Sequence, residues 1–166
     1  MAPTTSARDL ELLRRAIALA ASARRNGNHP FGALLADGRG EVIAEAENTV
    51  VTDRDITGHA ETNLVRLAWR RFPEPALTNA TLYTSTEPCA MCSGAIFWAG
   101  ISRVVFGLAG AALDEMIVSD PDAPALFLPA SEVLNAGNRT VEVIGPLLID
   151  EASEVHAGFW DSQDMA

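Results

Sequence analysis

Short apolar runs and amphipathic helical stretches alternate along this 166-residue chain, so only a few folds can accommodate it. Apolar residues recur with helical spacing over residues 8–25, and Gly27 follows as a stop signal, which predicts a first helix. Residues 31–36 and 41–47 are short apolar runs on either side of a Gly-rich turn. This arrangement predicts a β-hairpin after the first helix.

The rest of the chain continues the alternation of helices and strands. We predict helices over residues 58–71, 89–99 and 150–160, and strands over residues 80–85, 103–108 and 140–145. Residues 111–129 are ambiguous because prolines interrupt them. Strands that alternate with helices after a hairpin predict a mixed sheet with helices on both faces. Without a repeat or a long linker, residues 1–166 are expected to form a single domain.

The charge balance is strongly acidic. The chain has 12 basic residues, all of them arginine, against 22 acidic residues, which gives a net charge of −10. Such a chain repels phosphate-rich partners, so a small-molecule substrate is favoured over nucleic acid. Neither a signal peptide nor an apolar run of the roughly 20 residues that cross a bilayer is apparent. We therefore expect a soluble cytoplasmic protein without a membrane partner.

Two short clusters contain the residue types that bind zinc. His59 and Glu61 stand near the start of one predicted helix, whereas Cys89 and Cys92 stand at the start of the next one, after Pro88. Cysteines three residues apart on a helix can both reach one ion. A helix N-terminus also favours the thiolate form that binds metal. Three protein ligands leave one tetrahedral position open, as in catalytic zinc sites.

Each of these residues has a simpler interpretation when it is taken alone. His59 can be a helix-capping histidine, and Glu61 can be a solvated acid in a first helical turn. Cys89 and Cys92 can form a redox dithiol. Their joint occurrence at two helix starts favours the metal site, beside which Glu61 is placed to move protons without ligating the ion.

The pattern His-x-Glu followed by Pro-Cys-x-x-Cys resembles the signature of the cytidine deaminase superfamily. The likeness extends to residues 30–35, 80–89 and 103–107, and it is weaker beyond residue 110. It implies a three-layer α/β/α fold with a mixed five-stranded sheet and helices on both faces. It also implies Zn²⁺ as the cofactor and hydrolytic deamination as the reaction.

The resemblance also implies a role for each matching residue. His59, Cys89 and Cys92 become the zinc ligands, and Glu61 becomes the catalytic proton shuttle. Asn48 becomes a hydrogen-bond partner of the substrate, although it can instead cap the loop that follows. The backbone around Ala33 and Ala60 is implied to line the pocket. Phe31 and Trp98 are implied to be stacking walls, and core packing is the alternative for these two rings.

Three branches of the superfamily share parts of the pattern, namely guanine, cytosine and tRNA adenosine deaminases. The tRNA enzymes usually end in a basic helix, but residues 140–166 contain acidic residues and neither Lys nor Arg. We therefore predict a deaminase of a free heterocyclic base, with guanine first. A cytosine or aminotriazine deaminase and a tRNA adenosine deaminase are the alternatives. A non-catalytic zinc module is disfavoured because such a module has no use for Glu61.

The chain beyond residue 110 offers two further candidates. Asp114 can bind an amine or ring N–H of the base, or it can be a solvated loop acid. Phe159 and Trp160 can cover the pocket of their own or a neighbouring subunit, or pack onto the sheet. Because relatives with this fold commonly pair, we also predict a homodimer.

Overall fold

The computed structural model describes residues 5–117, 126 and 128–161. The helices are α1 (Ala7–Arg25), α2 (Val50–Asp53), α3 (Ala60–Arg71), α4 (Glu74–Thr78), α5 (Ala90–Trp98), α6 (Gly110–Ile117), α7 (Ala130–Leu134) and α8 (Ile149–Glu154). The strands are β1 (Gly32–Ala36), β2 (Val42–Glu47), β3 (Thr81–Thr86), β4 (Arg103–Leu108) and β5 (Glu142–Ile144).

The strands form one mixed sheet in the order β2-β1-β3-β4-β5. Strand β1 pairs antiparallel with β2 and β3, whereas β3, β4 and β5 are parallel neighbours. Parallel neighbours require a crossover connection, and α5 provides the one between β3 and β4. The predicted hairpin and the predicted mixed five-stranded sheet are both confirmed.

The two faces of the sheet contain separate hydrophobic cores, because successive side chains of a strand point to opposite faces. Leu82 of β3 packs with residues of α3, α5 and α7. Its neighbour Tyr83 packs with residues of α1 and α8. We call these sides the α3–α5 face and the α1–α8 face. Helices therefore cover both faces, which confirms the predicted three-layer arrangement.

A buried carboxylate fixes α1 to the sheet. Asp9 is 4% exposed and accepts hydrogen bonds from the Tyr83 hydroxyl (2.7 Å) and from Arg103 Nη1 (2.7 Å). It also accepts from the backbone N–H of Ser6, whose side chain caps α1. Burial acts to raise the pKa of Asp9, but the hydrogen bonds from Arg103, Ser6 and Tyr83 outweigh it and hold this pKa well below its usual range.

Gly32 allows β1 to pass very close to α1. A Cβ atom at this position would lie only 2.4 Å from the Ala20 nitrogen and 2.6 Å from the Ala16 carbonyl oxygen. Any side chain would therefore push α1 away from the strand. This close approach fixes the start of β1 and, with it, the position of the preceding Phe31.

The structure differs from the sequence prediction mainly in short elements and at the C-terminus. The last helix ends at Glu154 rather than continuing to residue 160, and the chain then turns through Gly158, whose φ is +66°. The short helices α2, α4 and α7 were not predicted, because four or five residues are too few to show helical periodicity. Part of the ambiguous region 111–129 forms α6, whereas residues 118–125 and 127 lie outside the described residues.

Within residues 5–117, 126 and 128–161, no helix is both long enough and apolar enough to cross a membrane.

Candidate metal centre and catalytic site

Three potential metal ligands converge where α3 and α5 begin. His59 is the N-cap residue of α3, and Cys89 is the N-cap residue of α5. The His59 Nδ1 atom lies 3.6 Å from the Cys89 sulfur and 3.5 Å from the Cys92 sulfur. All three ligand atoms lie within 4.8 Å of one another. One imidazole and two thiols at this spacing form a donor set that suits tetrahedral zinc with one position open.

The ligands influence one another's protonation. The hydrogen bond from the Cys92 thiol, aided by His59, lowers the pKa of Cys89 to about 4, although burial opposes this shift. The hydrogen bond with Cys89 raises the pKa of His59. Cys89 is therefore the thiol that ionises more readily, and a thiolate is the form of cysteine that coordinates metal.

The Glu61 carboxylate lies beside this cluster, between Thr84 of β3 and Cys92 of α5. Glu61 is 5% exposed, and its Oε1 accepts a 2.7 Å hydrogen bond from the Thr84 hydroxyl. Its Oε2 lies 3.5 Å from the Cys92 sulfur. Burial raises the pKa of Glu61, the shift expected for a carboxyl that both takes and gives protons near neutral pH. Thr84 was not predicted, because a threonine inside a strand carries no motif.

Asn48 leaves one buried donor without a partner. The side chain is fully buried, and its Oδ1 accepts a 3.0 Å hydrogen bond from the Val50 N–H. Among the buried side-chain atoms of the described residues, Asn48 Nδ2 has no hydrogen-bond partner. A buried unpaired donor is unfavourable, so Nδ2 is available to an acceptor from outside the described residues. The contact with Val50 is the predicted loop cap. The role of Nδ2 as a substrate donor stays a prediction.

A second asparagine, which the sequence analysis missed, holds the Asn48 loop. The Asn63 amide on α3 donates to the Glu47 carbonyl at 3.0 Å, to the Thr49 hydroxyl at 3.0 Å and to the Gly58 carbonyl at 3.2 Å. Two of these partners lie directly before and after Asn48 in the chain, and the third directly precedes His59. Only its position one helical turn after His59 could have drawn attention to it.

The other predicted contacts lie in different places. Ala33 and Ala60 are fully buried in the core of the α3–α5 face, and Phe31 packs against the same core. Trp98 is 80% exposed at the far end of α5, where its ring contacts Phe97. Trp98 lies about two helical turns beyond Cys92 and is not among the residues that the structure brings together here, so its role as a substrate contact stays a prediction.

Asp114 lines a cavity of about 220 Å³ that reaches Cys89 and is otherwise largely apolar. Burial raises the pKa of Asp114. The unpredicted Glu87 holds the sides of this cavity together: its two carboxylate oxygens accept from the Gly110 N–H and the Ala130 N–H, each at 2.9 Å. One carboxylate therefore links the starts of α6 and α7 to the strand end before Cys89.

Two aromatic residues near the end of the described chain, Phe159 and Trp160, pack against the residues that precede β1. The Trp160 ring centroid is 6.1 Å from that of Phe31 and 5.7 Å from that of His29. The pKa of His29 is lowered by burial and, in addition, by the nearby charge of His59. Phe159 and Trp160 therefore pack onto their own chain, against His29 and Phe31.

Comparisons with known proteins agree with this geometry. The sequence profile described as "Cytidine and deoxycytidylate deaminase zinc-binding region" matches residues 6–108. A probable cytosine deaminase of Schizosaccharomyces pombe is 46% identical over 156 residues, 94% of each chain. A guanine deaminase of Bacillus subtilis is 42% identical over 95 residues, 57% of this chain and 60% of its own length. A tRNA-specific adenosine deaminase of Haemophilus influenzae is 39% identical over 99 residues, 60% of this chain and 57% of its own length.

Solved structures show the same architecture. The guanine deaminase of Bacillus subtilis superimposes with a TM-score of 0.58 at 31% identity, over 95% of this chain and 96% of the other. The guanine deaminase of Nitrosomonas europaea superimposes with a TM-score of 0.76, over 96% and 87%, and at 23% identity it supports the fold alone. Fold and metal centre together define a zinc-dependent deaminase. The chain belongs to the cytidine and deoxycytidylate deaminase family.

Proposed function

We propose that this protein hydrolyses the exocyclic amino group of a free nucleobase or a closely related heterocycle. The observation that carries the proposal is the buried Glu61 carboxylate 3.5 Å from Cys92, beside three convergent metal ligands. A purely structural metal site requires no carboxylate there. The net reaction converts C–NH₂ and water into C=O and ammonia.

In this proposal, His59, Cys89 and Cys92 hold one zinc ion. When bound, zinc supplies the Lewis acidity that lets water ionise near neutral pH. Glu61 would accept one proton from the attacking water and pass it to the ring nitrogen next to the reacting carbon. It would then take the second proton from the same oxygen as the C=O bond forms, and deliver it to the departing amine, which leaves as ammonia. Thr84 keeps one carboxylate oxygen in place, so that the other faces the reaction.

Asn48 orients the base in this scheme. Its unpaired Nδ2 is a donor only, so the substrate must present an acceptor such as a carbonyl oxygen or an unprotonated ring nitrogen. Phe31 adds an aromatic surface that is partly buried. An apolar pocket with a few convergent polar groups is the usual form of a small-molecule site.

Cytosine is the first substrate to test. The S. pombe protein aligns over 94% of the chain, which includes most of the C-terminal segment that packs near the site. Guanine, which the sequence analysis placed first, becomes the second candidate. Its support is the 42% identity to the B. subtilis enzyme, but that match covers only 57% of this chain.

A tRNA substrate has weaker support. The net charge is −10, and residues 140–166 contain no basic side chain, so the C-terminal part offers no cation to a phosphate backbone. The identity to tRNA-specific enzymes covers 60% of this chain. We include a tRNA anticodon stem-loop as the alternative arm of the test.

We also propose that a second copy of the chain covers the outer surface of α3 and α5. Four large apolar side chains are exposed on these two helices: Leu67, Trp69, Met91 and Trp98. Met91 and Trp98 are seven residues apart and therefore lie on the same side of α5, where a second copy would shield both from solvent. Light scattering should give twice the chain mass, and Trp98→Glu should yield a monomer, whereas a monomeric wild-type protein would contradict this arrangement.

An ammonia-release assay tests the proposed activity. Cytosine, guanine, adenine, cytidine, guanosine, ammeline and the stem-loop are each offered to the zinc-loaded protein. We expect turnover of at least one free base. Glu61→Gln should retain the metal and lose about 10²–10⁴-fold in kcat, while the matched control Glu41→Gln, in the exposed hairpin turn, should match the wild type. Normal turnover by Glu61→Gln contradicts the proton-shuttle role.

A further inference from the structure

The C-terminal turn crosses from one face of the sheet to the other. Helix α8 belongs to the α1–α8 face, where Ala152 packs into the core. The turn that follows brings Trp160 against Phe31, which packs on the core of the α3–α5 face. Between these points lies His156, a histidine that is only 2% exposed and that the proposed mechanism does not use.

The hydrogen bonds of His156 define one tautomer of its ring. The Trp160 indole N–H lies 3.2 Å from His156 Nδ1, and an indole nitrogen can only donate. His156 Nδ1 therefore accepts, and the ring proton is on Nε2, which lies 3.4 Å from the Thr86 hydroxyl. The His156 ring also stacks on that of Trp160, with an angle of 15° between the planes, and lies 5.4 Å from Phe31.

Thr86 connects this histidine to the catalytic strand. Thr84 and Thr86 are two residues apart on β3, so their side chains point to the same face of the sheet. Thr84 donates to Glu61, whereas Thr86 contacts His156. The C-terminal turn is therefore attached to β3 at Thr86, two residues after Thr84, which is the hydrogen-bond partner of Glu61.

A second attachment holds the turn from outside. Arg24 of α1 donates to the Val155 carbonyl at 2.9 Å and to the Ala157 carbonyl at 2.8 Å. These carbonyls lie on either side of His156 along the chain. The guanidinium also lies over the Phe159 ring, 5.5 Å from its centroid. Arg24 fixes the backbone of the turn, so the contacts of His156 decide how its aromatic rings face Phe31.

We propose that His156 is a positioning residue: as a neutral imidazole it holds Trp160 against Phe31 beside the deaminase site, and its protonation detaches this aromatic wall from β3. The inference rests on the proposed function for its effect on substrate binding. A protonated ring carries a proton on Nδ1 as well, and that N–H would face the indole N–H of Trp160. Donor facing donor removes the contact that orients Trp160.

The charged surroundings set the pH range in which this occurs. Burial, and then the charge of Arg24, lower the pKa of His156 to about 4. The other titratable groups near the turn are His29, in contact with Trp160, and three acids that line the groove outside: Asp150, Glu154 and Asp161. Because the folded-state pKa lies below the usual 6.5, the folded form resists protonation. The free energy that the neutral ring contributes to folding is complete above about pH 6.5 and declines below it. In the folded protein the contact itself persists until the pH approaches 4, where the ring takes up its proton.

Two substitutions of His156 separate its hydrogen bonds from its titration. His156→Asn keeps an acceptor and a donor but cannot titrate, whereas His156→Leu keeps apolar bulk and loses both bonds. With the base that the wild type deaminates, His156→Leu should raise KM roughly five- to tenfold at pH 7 with kcat nearly unchanged. His156→Asn should restore KM at pH 7 and abolish the wild type's rise in KM between pH 5.5 and pH 4. Glu41→Gln, in the exposed hairpin turn, is the unchanged control.

A measurement without substrate keeps this inference separate from the proposed function. The indole N–H resonance of Trp160, assigned with Trp160→Phe, reports the bond to His156 whether or not any base is turned over. We expect the resonance to shift on acidification in the wild type, to be displaced at pH 7 in His156→Leu, and to be independent of pH in His156→Asn. Should His156→Leu fail to fold, Thr86→Val removes the other partner and serves in its place.

Two results would overturn the inference. One is an indole resonance and a KM that are the same in His156→Leu as in the wild type. The other is a rise in KM on acidification that persists in His156→Asn, since this would assign the pH effect to another group such as His29. Absence of turnover in every variant would instead count against the proposed function, and the resonance would still decide the role of His156.

Discussion

The two faces of the sheet differ in what their polar groups do. On the α3–α5 face, Glu61 and the three candidate ligands lie around an unpaired donor and an apolar pocket. On the α1–α8 face, the buried Asp9 is fully engaged by Tyr83, Arg103 and Ser6. Strand β3 contributes to both sides, with Thr84 towards Glu61 and Tyr83 towards Asp9. Polar groups satisfied within the fold stabilise it, whereas those left incomplete are available to a ligand.

This difference predicts that changes on the two faces have separable effects. Substitutions on the α3–α5 face should reduce metal binding or turnover more than stability. Substitutions in the Asp9 network should reduce the free energy of unfolding and leave the kcat of the folded protein nearly unchanged.

The largest effect is expected from Cys92→Ser. Removal of one of three ligands should reduce zinc to well below one ion per chain and lower turnover by more than about 10⁴-fold. Plasma emission spectrometry and the ammonia assay measure the two quantities. A chelator should inactivate the wild type in the same way, and added zinc should restore it.

The same measurement distinguishes the redox interpretation of the two cysteines. A redox dithiol predicts purified wild-type protein without zinc and a disulfide that forms and breaks with reductant. If Cys92→Ser binds zinc as the wild type does, the ligand assignment is wrong.

The next effect is expected on the α1–α8 face, from Asp9→Asn. This change removes the charge that pairs with Arg103 in a largely buried network, and we expect the free energy of unfolding to fall by about 3 kcal/mol at pH 7. Urea denaturation measures it. Glu11→Gln, which breaks the exposed pair with Arg8, should change stability by less than about 0.5 kcal/mol.

The pH dependence of the same pair has a defined sign. The folded-state pKa of Asp9 is below the usual value of about 3.8, so its stabilising effect is complete above that pH. The effect is lost as pH falls further towards the folded-state pKa. Wild type should therefore lose more stability than Asp9→Asn between pH 5 and pH 2. Parallel acid curves for the two proteins would contradict the network's role.

Local patterns account for what the sequence predicted well. His59, Glu61, Cys89 and Cys92 were found because each pair lies within four residues at the start of a helix, where spacing alone fixes geometry. The hairpin and the two-faced sheet followed from apolar periodicity in the same way.

Long-range contacts account for what the sequence did not predict. Thr84 reaches Glu61 across 23 positions, and the Glu87 contact with Ala130 spans 43. His156 reaches Thr86 across 70 positions. These separations are far longer than a sequence motif, so no local pattern could predict the contacts. The sequence did not predict the exposure of Trp98 for a related reason, because its distance along α5 does not indicate whether its side chain turns inwards.

A smaller effect is expected from Thr84→Val, which keeps the shape of the side chain and removes its hydroxyl. Glu61 Oε1 would then lose the hydrogen bond that the Thr84 hydroxyl donates. We expect kcat to fall about tenfold with zinc content unchanged. Thr84→Ser, which retains the hydroxyl, should stay within about threefold of the wild type. Equal kcat values for the Val and Ser variants would remove Thr84 from the proposed mechanism.

The smallest effect tests whether the cavity next to Cys89 belongs to the working site. Glu87→Gln replaces one carboxylate oxygen with an amide that faces a backbone N–H, so either α6 or α7 loses its anchor. If Asp114 and its neighbours contact substrate, KM should rise roughly three- to tenfold while zinc content and kcat change little. Glu115→Gln, on the exposed side of α6, is the matched control. A fall in thermal stability with an unchanged KM would show that Glu87 only stabilises the fold. The cavity between Glu87 and Asp114 would then not belong to the substrate site, although it reaches Cys89.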